Sequence, residues 1–177
     1  MNPMQQQPSS ATKTLNVLLW TLQVLWGIGF SITGFGKVLA VDPQIWRQFL
    51  HQVAWFSAVP QGLFVFIGIC EGLGGVALIV PAITKVAPKL TPIAAAGLAT
   101  IMALAAVFHI LRGEAHFFLP LNVLLGGVAA FIAYGRWIMP IEPARIHTLR
   151  ALTGAAVVVV LILAGCAPVW YQIAHIH

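Results

Sequence analysis

The sequence predicts an all-α membrane protein: a transmembrane four-helix bundle, an additional C-terminal fifth transmembrane helix, and an interfacial amphipathic helix between spans one and two. Three observations predict it. Only 7% of the 177 residues are charged and the mean hydropathy is +0.94, whereas a soluble domain carries about 25% charged residues. Apolar runs recur at roughly the 20 residues a helix needs to cross hydrocarbon. Short segments holding proline, glycine and basic residues separate those runs, as helix ends and membrane anchors require.

Residues 1–13 are rich in Gln, Pro and Ser and predict a flexible cytoplasmic tail. Span one covers about 15–40, and its second half carries Gly27, Gly29, Gly34 and Gly36 before Lys37. Asp42-Pro43 is an N-cap followed by proline at the first helical position. From there Ile45, Trp46, Phe49, Leu50, Val53 and Phe56 recur at helical spacing, opposite Gln44, Arg47, Gln48 and His51. This pattern predicts an interfacial helix over 43–57, lying across the bundle as a lid. Span two covers about 61–80 and closes at Pro81. Thr91-Pro92 predicts the cap of span three, which is rich in alanine and stops at Gly113. Span four runs from Pro120 to Pro140, and 142–150 is a polar connection. The aliphatic run 151–170 forms a fifth, peripheral span, followed by a tail with His175 and His177. The chain thus divides into a tail (1–13), a four-helix membrane domain (14–140), and a loop with fifth helix and short tail (141–177).

With spans alternating, Lys13, Lys85, Lys89, Arg136, Arg145 and Arg150 collect on the N-terminal side. Lys37, Arg47 and Arg112 fall opposite, offset by Asp42 and Glu114. The positive-inside rule places the N-terminus in the cytoplasm and the C-terminus outside, in the plasma (bacterial inner) membrane. The net charge of +5 is scattered along membrane flanks, which argues against nucleic acid as a partner. Cys70 and Cys166 lie far apart in apolar surroundings without a CxxC, so both read as buried thiols.

The chemistry centres on Gly68-Ile69-Cys70-Glu71-Gly72-Leu73-Gly74-Gly75. A carboxylate at membrane depth costs roughly 2.5–3.5 kcal/mol on insertion scales unless it is neutralised or paired. The glycines around it let neighbouring helices come close. Lys37 either snorkels to the headgroups or turns inward toward Glu71. His109 and Arg112, about one turn apart, approach from span three. Glu71, His109, Arg112 and Lys37 are therefore the candidate ligand-binding residues at the outer end. Two readings stand side by side: a structural cluster holding helices in register, or the lining of an outward-facing polar cavity that binds a polar head group such as a quinone carbonyl. No histidine pair has the i,i+4 spacing of a helical metal site, and no nucleotide fingerprint or nucleophile motif is present.

Thr33-Gly34-Phe35-Gly36-Lys37, the Glu71 stretch, Phe108-His109-Ile110-Leu111-Arg112-Gly113-Glu114 and Tyr134-Gly135-Arg136 resemble, in order and spacing, the DoxX-like membrane proteins over about 25–138. The resemblance implies a four-helix transmembrane bundle with both ends of the core in the cytoplasm. The Gly-Pro-Gly and Ser-Asp ending of DoxX proper is absent, which places the chain nearer the looser DoxX-like branch. Functions implied by the family are diverse: a quinone-linked thiosulfate oxidoreductase subunit, association with redox enzymes, or assistance to membrane-protein assembly. The expectation is a subunit or accessory of a redox or quinone-linked membrane system that is not a stand-alone enzyme. Its partners would be the bilayer and a redox protein or further copies of itself, and a quinone is its candidate cofactor. The alternative is a non-enzymatic interaction or assembly factor.

Overall fold

The computed structural model describes residues 10–52 and 54–141. Among these it is all-helical, with four helices long and apolar enough to span a bilayer: α1 (Ser10–Val38), α3 (Gln61–Thr84), α4 (Leu90–Leu111) and α5 (Ala115–Ile138). A short helix, α2 (Pro43–Gln52), lies between α1 and α3, flanked by 3₁₀ turns at Leu39–Val41 and Ala54–Ala58. The fifth span, Cys166 and the C-terminal histidines lie outside the described residues.

Neighbouring long helices run antiparallel. Gln23 of α1 bonds to Leu78 of α3, and Lys37 near the end of α1 meets Glu71. α1 packs chiefly on α3 and α5 chiefly on α4; α3 joins the two pairs, while α1 and α5 meet along a shorter seam. The core comprises Phe30, Leu78, Ile79, Ala95, Leu98, Met102, Ala129 and Ile132. We call the end bearing α2 distal and the end where α1 begins proximal.

The α1–α3 contact explains the glycines. A Cβ on Gly34 would sit 2.7 Å from the Gly68 carbonyl oxygen, and one on Gly75 would sit 2.5 Å from the Gly27 carbonyl oxygen. The two backbones touch because no side chain stands between them.

Several boundaries depart from expectation. α3 continues past Pro81 to Thr84. Proline removes only the one N–H bond that would reach the Ala77 carbonyl, and the Thr84 hydroxyl donates to Val80 O at 2.8 Å in the same turn. Thr91 does not cap α4. The Ala87 and Pro88 carbonyls accept the Leu90 and Thr91 N–H groups, so the helix starts at Leu90 and the buried Thr91 hydroxyl has no partner. α5 begins at Ala115 rather than Pro120, because the Glu114 carbonyl accepts the Phe117 and Phe118 N–H groups and starts the helix earlier. The helix expected over 43–57 ends at Gln52 and gives way to a 3₁₀ turn. Its start is as read: Asp42 Oδ1 accepts the Gln44 and Ile45 N–H groups at 2.7 and 3.2 Å.

Candidate functional site

The distal end is closed by rings. Trp46 and Phe49 of α2 and Trp55 and Phe56 after it gather around Phe64, together with Ala40, Val59 and Phe108. The Trp46–Phe64 and Phe49–Phe64 centroids are 5.3 and 5.5 Å apart, and Phe56–Phe64 4.9 Å. Arg47 and His51 stay exposed, so α2 presents its apolar face to the bundle. An apolar plug thus fills this end.

Two helical turns deeper on α3, on the same face as Phe64 and Gly68, lies Glu71, 2% exposed. Lys37 Nζ donates to its Oε2. The glycine contact allows this, since Gly68 faces the Lys37 Cβ across the interface. The inward orientation of Lys37 prevails over snorkelling: burial of the carboxylate leaves a cation as its strongest available partner.

His109 and Arg112 form a second group, assembled by the turn that ends α4. Gly113 has φ +74°, a left-handed conformation that suits glycine. The Gly113 N–H donates to Ile110 O at 3.1 Å and the Glu114 N–H to His109 O at 2.9 Å, the double closure of a Schellman motif. This turn folds Glu114 back over the helix it terminates. Its Oε2 lies 2.9 Å from His109 Nδ1, and its Oε1 accepts from Arg112 Nε and an Arg112 terminal amino group at 3.1 and 3.0 Å. Because an ionised carboxylate only accepts, His109 Nδ1 carries the proton. The Arg112 guanidinium first, then the His109 ring, hold the Glu114 carboxyl below the ordinary glutamate range. His109, 4% exposed, stacks on Phe118 at 4.1 Å and meets Trp55 edge-on at 5.2 Å.

The four expected residues therefore form two groups rather than one. Among the described residues, no hydrogen bond or ion pair joins Lys37–Glu71 to His109–Glu114–Arg112. Glu114 is absent from the four expected site residues; its place one residue after the glycine stop was the signal that it folds back. No group of three His, Cys, Asp or Glu among the described residues is placed to hold a metal.

A third polar group was not anticipated. At the proximal end Arg136, 3% exposed, donates from Nε to Gln23 Oε1 and from one terminal amino group to Asn16 Oδ1, both at 2.8 Å. Its other terminal amino group has no partner. The guanidinium lies 4.9 Å over the Trp20 ring, and Gln23 passes the link on to Leu78 O at 2.6 Å. Two amides, Asn16 and Gln23, two helical turns apart in the largely apolar first half of span one were the available signal.

The family model for the DoxX-like family matches residues 21–132. The chain belongs to the DoxX-like family. Neither a curated protein nor a solved structure matches it. The DoxX-like match runs from within α1 through most of α5, and so includes Lys37, Glu71, His109, Arg112 and Glu114 but ends before Arg136. With its four apolar spans, this DoxX-like chain is an integral membrane protein embedded in a lipid bilayer.

Proposed function

We propose that this DoxX-like protein is a non-enzymatic membrane component, an interaction or assembly partner whose distal polar residues hold the bundle in shape. The observation that supports this is the state of Glu71: buried, engaged by Lys37, and lying beneath an aromatic plug. A carboxylate so engaged has little capacity left for a ligand. The proximal end carries Lys13, Lys85, Lys89 and Arg136, so the reading places that end in the cytoplasm of a plasma (bacterial inner) membrane.

A second reading rests on His109. Its ring lies between Phe118 and Trp55 beside Arg112, surroundings that suit a flat conjugated head group. Lifting the Trp55 segment would let a quinone replace one aromatic neighbour, with Arg112 donating to its carbonyl. The protein would then be a subunit or accessory of a quinone-linked redox system.

Glu71→Gln distinguishes the two when protein abundance in the membrane and binding of a short-chain ubiquinone are measured separately. The first reading expects reduced abundance, and no quinone binding by the wild-type protein. Normal abundance of Glu71→Gln, together with a wild-type quinone affinity that His109→Ala abolishes, would reject it and favour the second.

A further inference from the structure

On the flank between α1 and α5 the seam opens into a groove of about 230 Å³, lined by Leu25, Trp26, Gly29, Phe30, Thr33 and Leu125. Leu25 is 56% exposed there, and a Cβ on Gly29 would meet nothing within 4 Å. The polar groups of its wall are already satisfied. Trp26 Nε1 donates to Leu125 O at 3.0 Å, and the Thr33 hydroxyl donates to Gly29 O at 3.0 Å. The groove thus offers shape and apolar surface but no free donor for a head group.

The chain itself supplies a matching occupant. α5 ends at Ile138, at the proximal end of this same flank, where Arg136 reaches Gln23 and Asn16. Beyond it lie a polar stretch, 142–150, and an apolar run, 151–170. Consecutive elements usually lie adjacent in space, and the twelve residues 139–150 separate the end of α5 from this run. One side of α5 is taken by α4, and the other is this seam. We propose that residues 151–170 seat as a transmembrane helix in the groove between α1 and α5, completing a seam that four helices leave open.

The register follows from helical rise. The bond from Trp26 to Leu125 sets the groove thirteen residues above Ile138, about 20 Å at 1.5 Å per residue. A helix entering at residue 151 attains that level at residue 164. Cys166 then lies close to the level of Gly29, with Ala164 and Gly165 beside it as small residues able to approach α1.

The test uses the native Cys166 in the full-length chain, in native membranes, with Cys70→Ala to remove the other thiol. Gly29→Cys and Thr33→Cys are introduced separately. Both sites accept the thiol, since Gly29 has open space and Thr33 is exposed. Copper-phenanthroline oxidation is followed by maleimide labelling and peptide mapping. In at least one variant, more than half of the labelling should be lost in a monomer-sized band, with the new thiol linked to Cys166. Leu104→Cys, on the exposed face of α4 at 65% exposure, should keep its label. Full labelling of both groove variants would overturn the proposal, leaving lipid or quinone tails as the occupant. Disulfide-linked dimers in place of the internal link would overturn it in favour of a second copy.

Discussion

At the distal end Glu71 lies against Lys37, and Glu114 against Arg112 and His109. At the proximal end Arg136 is held by the neutral amides of Gln23 and Asn16 and by the face of Trp20. The difference is one of joint versus single dependence. A buried ion pair is removable as a pair, because each charge is there to offset the other, whereas removing one partner leaves an uncompensated charge. A cation held by amides keeps its charge whatever happens to them, and draws on their dipoles and on the C-terminal end of α5, which favours positive charge.

The largest expected effect comes from breaking the distal pair on one side. Glu71→Leu alone should destabilise the bundle by about 3–5 kcal/mol, while Lys37→Met with Glu71→Leu should recover most of that loss. Unfolding in mixed detergent micelles measures both. A double variant as unstable as the single would show that the pair is not what sets stability there.

At the proximal end Gln23→Leu removes the acceptor for Arg136 Nε and the donor to Leu78 O, and should cost about 1–3 kcal/mol. Unlike the distal case, Arg136→Lys on the wild-type background should not be neutral, since an ammonium cannot reproduce the two-pronged contact with Gln23 and Asn16. Equal stability of Arg136→Lys and wild type in the same unfolding assay would remove the contrast between the two ends.

Smaller again is the cap of α2. Asp42→Ala leaves the Gln44 and Ile45 N–H groups without their acceptor and should cost about 1 kcal/mol. The loss should appear as faster amide exchange confined to α2, with α5 unchanged.

The smallest effect belongs to Glu114, which is partly exposed and screened by solvent. Its carboxyl is held below the ordinary range by Arg112 and then His109. Its stabilisation is therefore fully present above the ordinary glutamate value of about 4.3 and lost as pH falls through the lowered folded value. Amide exchange at Gly113 and Glu114 should quicken across that acid window in the wild type. Glu114→Gln should exchange faster at neutral pH and show a flatter profile.

Much of the fold was legible because it depends on local pattern. Four apolar runs, the Asp42 cap and the Gly113 stop each act within a few residues. Helix ends near prolines were misread for the opposite reason. Pro81 and Pro120 each remove one donor, and whether a helix survives that depends on neighbours such as the Thr84 hydroxyl. The candidate site was half legible. A membrane-depth acid amid glycines pointed to a close helix contact, and Lys37 is the cation found there. Its separation from His109 and Arg112 was hidden, because both groups sit at the same end and depth alone does not say which side chains face each other.

The order of residues alone determined that this chain lives in a bilayer, how many of the described segments span it, and that Glu71 needs a partner. Those outcomes follow from transfer free energies and helix geometry, which act one segment at a time. Tertiary structure decided which cation Glu71 takes and that Gln23 meets Arg136 across 113 residues. Each of those choices depends on the rotation of one helix against another. That rotation is set by backbone contact between the glycines of α1 and α3, a relation between distant parts of the chain.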